Sequence, residues 1–138
     1  FLVGCARFEP DGAFLVEQHL MTDYASERAM LTGVARDLST AGALVTFNGK
    51  SFDAPVIETR YLFHRLESPC STLPHVDVLH PARRFWGGRS EGGGSLTSLE
   101  HPLLGARRVG DVPGCEIPAR YFQFIRSGDA QPLADVFE

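Results

Sequence analysis

Ala43-Leu44-Val45-Thr46-Phe47 is a short, continuously apolar run that leads directly into Asn48-Gly49-Lys50-Ser51. A run with no polar alternation is what a strand covered on both faces looks like. The Asn-Gly-Lys-Ser segment is a turn, and the spacing beyond it predicts a helix of about 13 residues, Phe52 to about Leu66. Pro74 then precedes a second short strand, His75 to Leu79. This strand-helix-strand unit constrains the fold more than any other part of the chain. Upstream, residues 1–8 and 13–20 read as two strands joined by Pro10-Asp11-Gly12. Pro presets the backbone of a turn and Gly takes its left-handed position, so a hairpin is predicted. Asp23 is placed to cap a helix in which Met30, Leu31, Val34 and Leu38 follow helical spacing, and Gly42 is placed to stop it. The order β-β-α-β-α-β predicts an α/β domain with a mixed sheet and flanking helices.

Beyond His80 the texture changes. Gly87-Gly88 and Gly92-Gly93-Gly94 flank a charged loop, expected to be mobile. Thr97 and Glu100 have capping-box spacing, and Leu96, Leu99 and Leu103 form one helical face that ends at Gly105. Val112-Pro113-Gly114 predicts a turn. Pro118 suits the first turn of a helix carrying Tyr121, Phe122 and Ile125, broken by Ser127-Gly128-Asp129. Leu133, Val136 and Phe137 begin another helix. There is no internal repeat.

The chain has 138 residues, 43% hydrophobic and 22% charged, which suits one soluble domain with a real core. No stretch approaches the roughly 18 apolar residues of a membrane helix. The apolar start, Phe1 to Phe8, is too short and lacks the basic leader of a signal peptide. It also has no initiator Met, so a fragment of a longer chain is expected. Cys5, Cys70 and Cys115 are odd in number and widely spaced, against a disulfide framework or a Cys-rich zinc site. Free thiols fit a reducing, cytoplasmic compartment.

The net charge of −4 speaks against a non-specific nucleic-acid binder. Its distribution says more. Residues 60–108 carry seven Arg against Glu67, Asp77, Glu91 and Glu100, whereas the segments on either side are net acidic. The Arg run is either a solvated face or a positive face for a phosphate backbone.

Asn48-Gly49-Lys50-Ser51-Phe52-Asp53-Ala54-Pro55 places a carboxylate just past the end of a strand and at the start of a helix. Open α/β sheets present functional groups at that edge, and the helix N-terminus adds partial positive charge. Asp53 therefore reads either as a divalent-cation ligand or as a helix cap, with Pro55 filling the first turn.

Asn48-x-x-x-Phe52-Asp53 resembles the second exonuclease motif of the DEDD nucleases, familiar from the proofreading domain of family B DNA polymerases. The longer run Val45 to Pro55, with His75-x-Asp77-x-x-His80-Pro81-Ala82-Arg83-Arg84, is more similar to the bacterial YprB-type ribonuclease H-like domain. Asp111-Val112-Pro113-Gly114-x-Glu116-Ile117-Pro118 and Ser127-Gly128-Asp129 resemble it too, so the similarity covers nearly the whole chain.

The resemblance implies a metal-dependent 3′–5′ exonuclease that hydrolyses phosphodiesters at single-stranded DNA or RNA 3′ ends, acting as a monomer. In such families four carboxylates hold two divalent ions, Mg²⁺ or Mn²⁺, about 4 Å apart. One ion generates the nucleophile and the other stabilises the leaving oxygen. Their first motif, Asp-x-Glu, lies on a central strand before the hairpin, and the last acid lies on a later helix. Neither is found in residues 1–138, so of the four acids only Asp53 carries over, and the domain is expected to be partial. The missing strand would lie between the hairpin and the strand at 43–47, leaving unpaired edges in a chain that is marginally soluble or unstable alone.

By the same resemblance Asn48 and Phe52 face the 3′-terminal nucleotide. Phe52 reads equally as helix–sheet core. Arg83 and Arg84 are either phosphate contacts or an exposed helix face. Asp77 matches a position outside the four metal acids. A zinc site built on His75, Asp77 and His80 is the rival enzyme reading, weakened because strand residues 75 and 77 share a face that 80 does not. Gly92-Gly93-Gly94-Ser95 lacks the Lys-Ser/Thr ending and the preceding strand of a phosphate loop. A catalytically inactive ribonuclease H-like module binding nucleic acid or a protein is the remaining alternative.

Overall fold

The computed structural model describes residues 2–87 and 94–137. Two compact units divide the chain, residues 1–99 and 100–138. The loop expected to be mobile, and Gly92 and Gly93 of the Gly92–Ser95 segment, lie in residues 88–93, outside the described residues.

The first unit opens with a hairpin. β1 (Leu2–Phe8) and β2 (Phe14–Leu20) pair antiparallel, with Phe8 opposite Phe14. Gly12 sits at φ +88, and the Ala13 amide donates to Asp11 Oδ1 at 2.9 Å. A left-handed residue at that point is what Gly supplies without steric cost. α1 (Glu27–Leu38) follows. Asp23 acts one turn ahead of it: its Oδ1 accepts the Ser26 amide at 2.8 Å, and Ser26 Oγ accepts the Asp23 amide at 3.2 Å. Ser26 holds the N-cap position, and α1 ends at Leu38, four residues before the expected stop at Gly42.

β3 (Leu44–Thr46) and β4 (His75–Asp77) run parallel, connected through α2 (Asp53–Phe63) and a short 3₁₀ turn, Pro69–Ser71. Strand directions are therefore mixed, as expected. Among the described residues, however, the four strands form two separate pairs, β1 with β2 and β3 with β4. A groove of about 1080 Å³ is lined by both β1 and β3, together with the C-terminal end of α1 and the start of α2. This corrects the expectation that residues 43–47 are covered on both faces: Val45 is 69% exposed. Instead of meeting a packed layer, Val45 lines the groove.

Packing of α1 against α2 forms the centre of the core, where Leu31, Val34 and Tyr61 are fully buried. The Tyr61 hydroxyl donates to the Leu31 carbonyl at 2.6 Å, and burial pushes its pKa up to about 12. A buried phenol needs such a partner, because an unmatched hydroxyl in an apolar site is costly. His19 on β2 meets Asp37 on α1 at 2.7 Å. α3 (Leu79–Trp86) leaves the end of β4 and buries Leu79 and Ala82.

α4 (Leu96–Leu104) straddles the division between units. Thr97 lies inside it, and Ser95 Oγ instead accepts the Ser98 amide at 3.3 Å, which corrects the capping box expected at Thr97. Gly105, at φ +67, follows the helix end. In the second unit Arg108 grips Glu100 with two hydrogen bonds, at 2.6 and 2.7 Å. α5 (Ile117–Ser127) ends at left-handed Gly128, and Arg120 joins it to Asp135 at 3.0 Å. The final segment, Gln131–Val136, is 3₁₀ rather than the α-helix begun in the sequence reading. All three cysteines are free thiols. Among the described residues no helix is long and apolar enough to cross a membrane.

Candidate functional site

β3 and β4 are in register from Leu44 opposite His75 to Thr46 opposite Asp77, so both strands end at one edge. Two connections leave that edge, the turn into α2 and the entry into α3. Open parallel sheets carry their ligand sites at this carboxyl edge.

Asp77 joins the two connections. Its Oδ1 accepts the amides of Asn48 (2.8 Å) and Leu79 (3.1 Å), and its Oδ2 accepts that of Lys50 (3.0 Å). Burial alone would raise the pKa of this carboxyl. The Leu79, Asn48 and Lys50 amides, with the nearby His80, hold it below the ordinary carboxylate value instead. The turn it secures is sterically demanding. Asn48 is at φ +68, and a Cβ added to Gly49 would lie 2.6 Å from Thr46 Cβ. Asp77 is thus a loop anchor, with three of its acceptor positions taken up by backbone amides.

Asp77→Asn tests this anchor. With the amide oxygen in place of Oδ1, the new NH₂ faces the Lys50 N–H, donor against donor. Lys50 amide exchange is expected to accelerate while the Asn48 and Leu79 amides stay protected. Uniform protection in all three, measured by hydrogen exchange, would contradict the anchor role. Because the folded pKa is lowered, the anchor holds above the ordinary carboxylate range and is lost as pH falls through the lowered value.

The anchored turn presents Asn48, Phe52 and Asp53. Asn48 is exposed. Phe52 is 66% exposed and occupies the N-cap position of α2, which removes the core reading for this ring. Asp53 is the first residue of α2, is exposed, and makes no capping hydrogen bond. Among the described residues its carboxylate takes part in no hydrogen bond or ion pair. The helix-cap reading therefore fails, and Phe52 and Asp53 both line the groove shared by β1 and β3.

Arg83 and Arg84 are exposed on α3, which begins at the Asp77 anchor. The residues of the rival zinc reading are spent separately. His75 Nε2 lies 2.8 Å from Thr46 Oγ1, Asp77 is taken by amides, and His80 is exposed on α3. Among the described residues no three His, Cys, Asp or Glu side chains group as a metal cage. Asp53 offers one hard oxygen donor of the type divalent ions prefer. The other acids that line the groove, Glu9 and Asp37, are engaged with Arg7 and His19.

Sequence reasoning missed the anchoring role of Asp77, which it placed in the middle of a strand from His75 to Leu79, whereas β4 ends at Asp77. It also missed the aromatic pair that ends α3, Phe85 and Trp86, which follows Arg83 and Arg84 directly.

No solved structure matches the chain. It is 37% identical over 139 residues to YprB, an uncharacterised protein of Bacillus subtilis (strain 168). That similarity covers 99% of this chain and 32% of YprB, so the chain spans about a third of the length of this curated relative. A family model, RNase_H_2 of the RNase_H superfamily, matches residues 1–138. With the match running from the first residue to the last, the chain belongs to the RNase_H superfamily.

Proposed function

We propose that this chain is part of a metal-dependent nuclease that removes nucleotides from single-stranded 3′ ends, with Asp53 as one of its metal-binding acids. The observation that carries the reading is the state of Asp53. An exposed carboxylate with no partner among the described residues, at the carboxyl edge of a parallel strand pair, is available to a cation. Membership of the RNase_H superfamily supports the same chemistry.

Two divalent ions, Mg²⁺ or Mn²⁺, would supply an activated water and charge stabilisation on the leaving oxygen. One carboxylate does not complete such a site, so further ligands would have to come from outside these residues. The groove lined by β1 and β3, beside Asp53, is where a strand bearing the Asp-x-Glu motif is expected from the resemblance. This chain's own contribution is positional. Asp77 fixes the turn, the turn fixes the start of α2, and Asn48 and Phe52 stand exposed on either side of Ser51 to meet a terminal nucleotide.

The test is a nuclease assay of the full-length natural protein on 5′-labelled single-stranded DNA and RNA, with Mg²⁺, with Mn²⁺, and with chelator. Stepwise shortening from the 3′ end that requires metal is the expected result. A folded protein that binds either oligonucleotide without shortening it would replace this reading with that of an inactive binding module.

A further inference from the structure

α1 and α2 pack against each other, yet their outer faces differ. α1 turns Arg28, Thr32 and Arg36 to solvent at four-residue intervals, as a helix bordering water does. α2 turns out Pro55, Val56, Thr59, Leu62 and Phe63, all of them exposed and none charged. Val56 is 46% exposed, Leu62 77% and Phe63 68%. Val56, Thr59 and Phe63 follow at three- and four-residue intervals, so they form one ridge along the helix, with Pro55 and Leu62 beside it. The buried residues Ile57 and Tyr61 lie on the opposite side.

The ridge is prepared for contact. The Thr59 hydroxyl donates to the Pro55 carbonyl at 2.7 Å, which spends its polarity within the helix. Arg60 stacks over the Phe63 ring at 4.5 Å, so the ring is held before any partner arrives. Phe52 continues the same line toward the groove and is left to the terminal nucleotide.

The chemistry of this face selects its occupant. A phosphate chain or a lipid surface needs free cations along the rim. The charged residues at the rim are Asp53, Glu58 and Arg60, and Arg60 is paired with Glu27. A second copy meeting the first ridge to ridge covers too little. The five residues leave roughly 400 Å² open on each copy, and roughly 800 Å² in total is the size of a lattice contact rather than of a stable dimer. A segment tethered to the same chain needs no such area, because tethering gives it an effective concentration on the order of millimolar. This chain spans 32% of YprB, so most of that relative's length lies outside the matched region.

We propose that a helix from the part of the full-length chain outside residues 1–138 packs its apolar stripe along α2, over Val56, Thr59, Leu62 and Phe63. A helix is the matching element because a ridge with this spacing seats in the groove of another helix. The eleven residues of α2 give it about 16 Å to lie along, three turns of such a partner. The inference is independent of the nuclease reading, since none of these four residues has a part in it.

The experiment places the photoreactive residue p-benzoylphenylalanine at Leu62 of the full-length natural protein, and at Thr32 on α1 as the control. Isotopically light and heavy protein are mixed and irradiated, and crosslinked peptides are read by mass spectrometry. Leu62 is expected to crosslink to one segment outside residues 1–138, light to light and heavy to heavy, whereas Thr32 gives no such product. Leu62→Glu should then speed amide exchange in that segment about tenfold or more, the factor for losing one buried Leu side chain from the contact. The Leu31 and Val34 amides of α1 should stay protected, which reports an intact fold. Leu62→Ala, which adds no charge, should give the same pattern at smaller amplitude.

Mixed light–heavy crosslinks from Leu62 would overturn the proposal and assign the ridge to a second copy. Crosslinks confined to residues 1–138, or none from a folded protein, would overturn it as well. So would exchange outside these residues that ignores both Leu62 variants. A protein that gives the expected crosslink but shortens no oligonucleotide would lose the nuclease reading alone.

Discussion

Asp53→Ala is expected to lower metal-dependent shortening by at least about 1000-fold while costing no more stability than the roughly 0.3–1 kcal/mol of an acid in a first helical turn. A metal ligand contributes several kcal/mol to the transition state, and about 4 kcal/mol corresponds to that factor. The structural side of the prediction is equally definite. Asp53 is exposed, does not cap α2, and makes no hydrogen bond or ion pair among the described residues, so its removal breaks no contact. Asp53→Asn should behave almost identically, since it keeps the shape and removes the charge a cation needs. Single-turnover kinetics beside a thermal melt check both halves. Activity within twofold of the natural protein would remove Asp53 from the metal site. A loss of stability well beyond that first-turn contribution would return it to a structural role.

Glu27→Ala should have the largest effect on stability, about 3 kcal/mol. Glu27 is 6% exposed at the start of α1, and it is held from α2. Arg60 donates to both its oxygens, at 2.7 and 2.5 Å, and His64 Nε2 lies 2.8 Å from Oε2. Arg60 also stacks over the Phe63 ring at 4.5 Å, so the guanidinium is fixed on both sides. Truncating the carboxylate leaves Arg60 and His64 facing a gap between the two helices that form the core.

The same cluster sets an acid limit. Hydrogen bonds from Arg60, and then His64, outweigh burial and hold the Glu27 pKa at about 2, against 4.5 for the free side chain. A depressed carboxyl pKa stabilises the fold above the unfolded value and ceases to do so as pH falls through the folded one. The loss therefore runs from about pH 4.5 down to about pH 2. Because Arg60 is a third exposed and partly screened, its size is about 2 kcal/mol. Urea unfolding across this window should show a steep acid decline in the natural protein and a shallower one in Glu27→Ala. Parallel curves would mean that other carboxyls carry the acid sensitivity.

The sequence by itself determined the local units. The hairpin was legible because its register is set by a turn of a few residues around Gly12, and the strand–turn–helix start was legible because the run 43–47 ends in turn residues before a helical stretch. It also placed Asp53 at the strand edge, since position along the chain fixes which end of a strand a residue follows. Only the tertiary structure decided what those residues do. Whether Asp53 caps α2 depended on helix phase, which put Phe52 at the N-cap and left the carboxylate unengaged. Asp77 became an anchor because two of its three amide donors arrive from 27 and 29 residues away, a convergence no local pattern encodes. Val45 was written as a core residue and is exposed, because apolarity records what burial would favour and not whether a neighbour arrives to provide it.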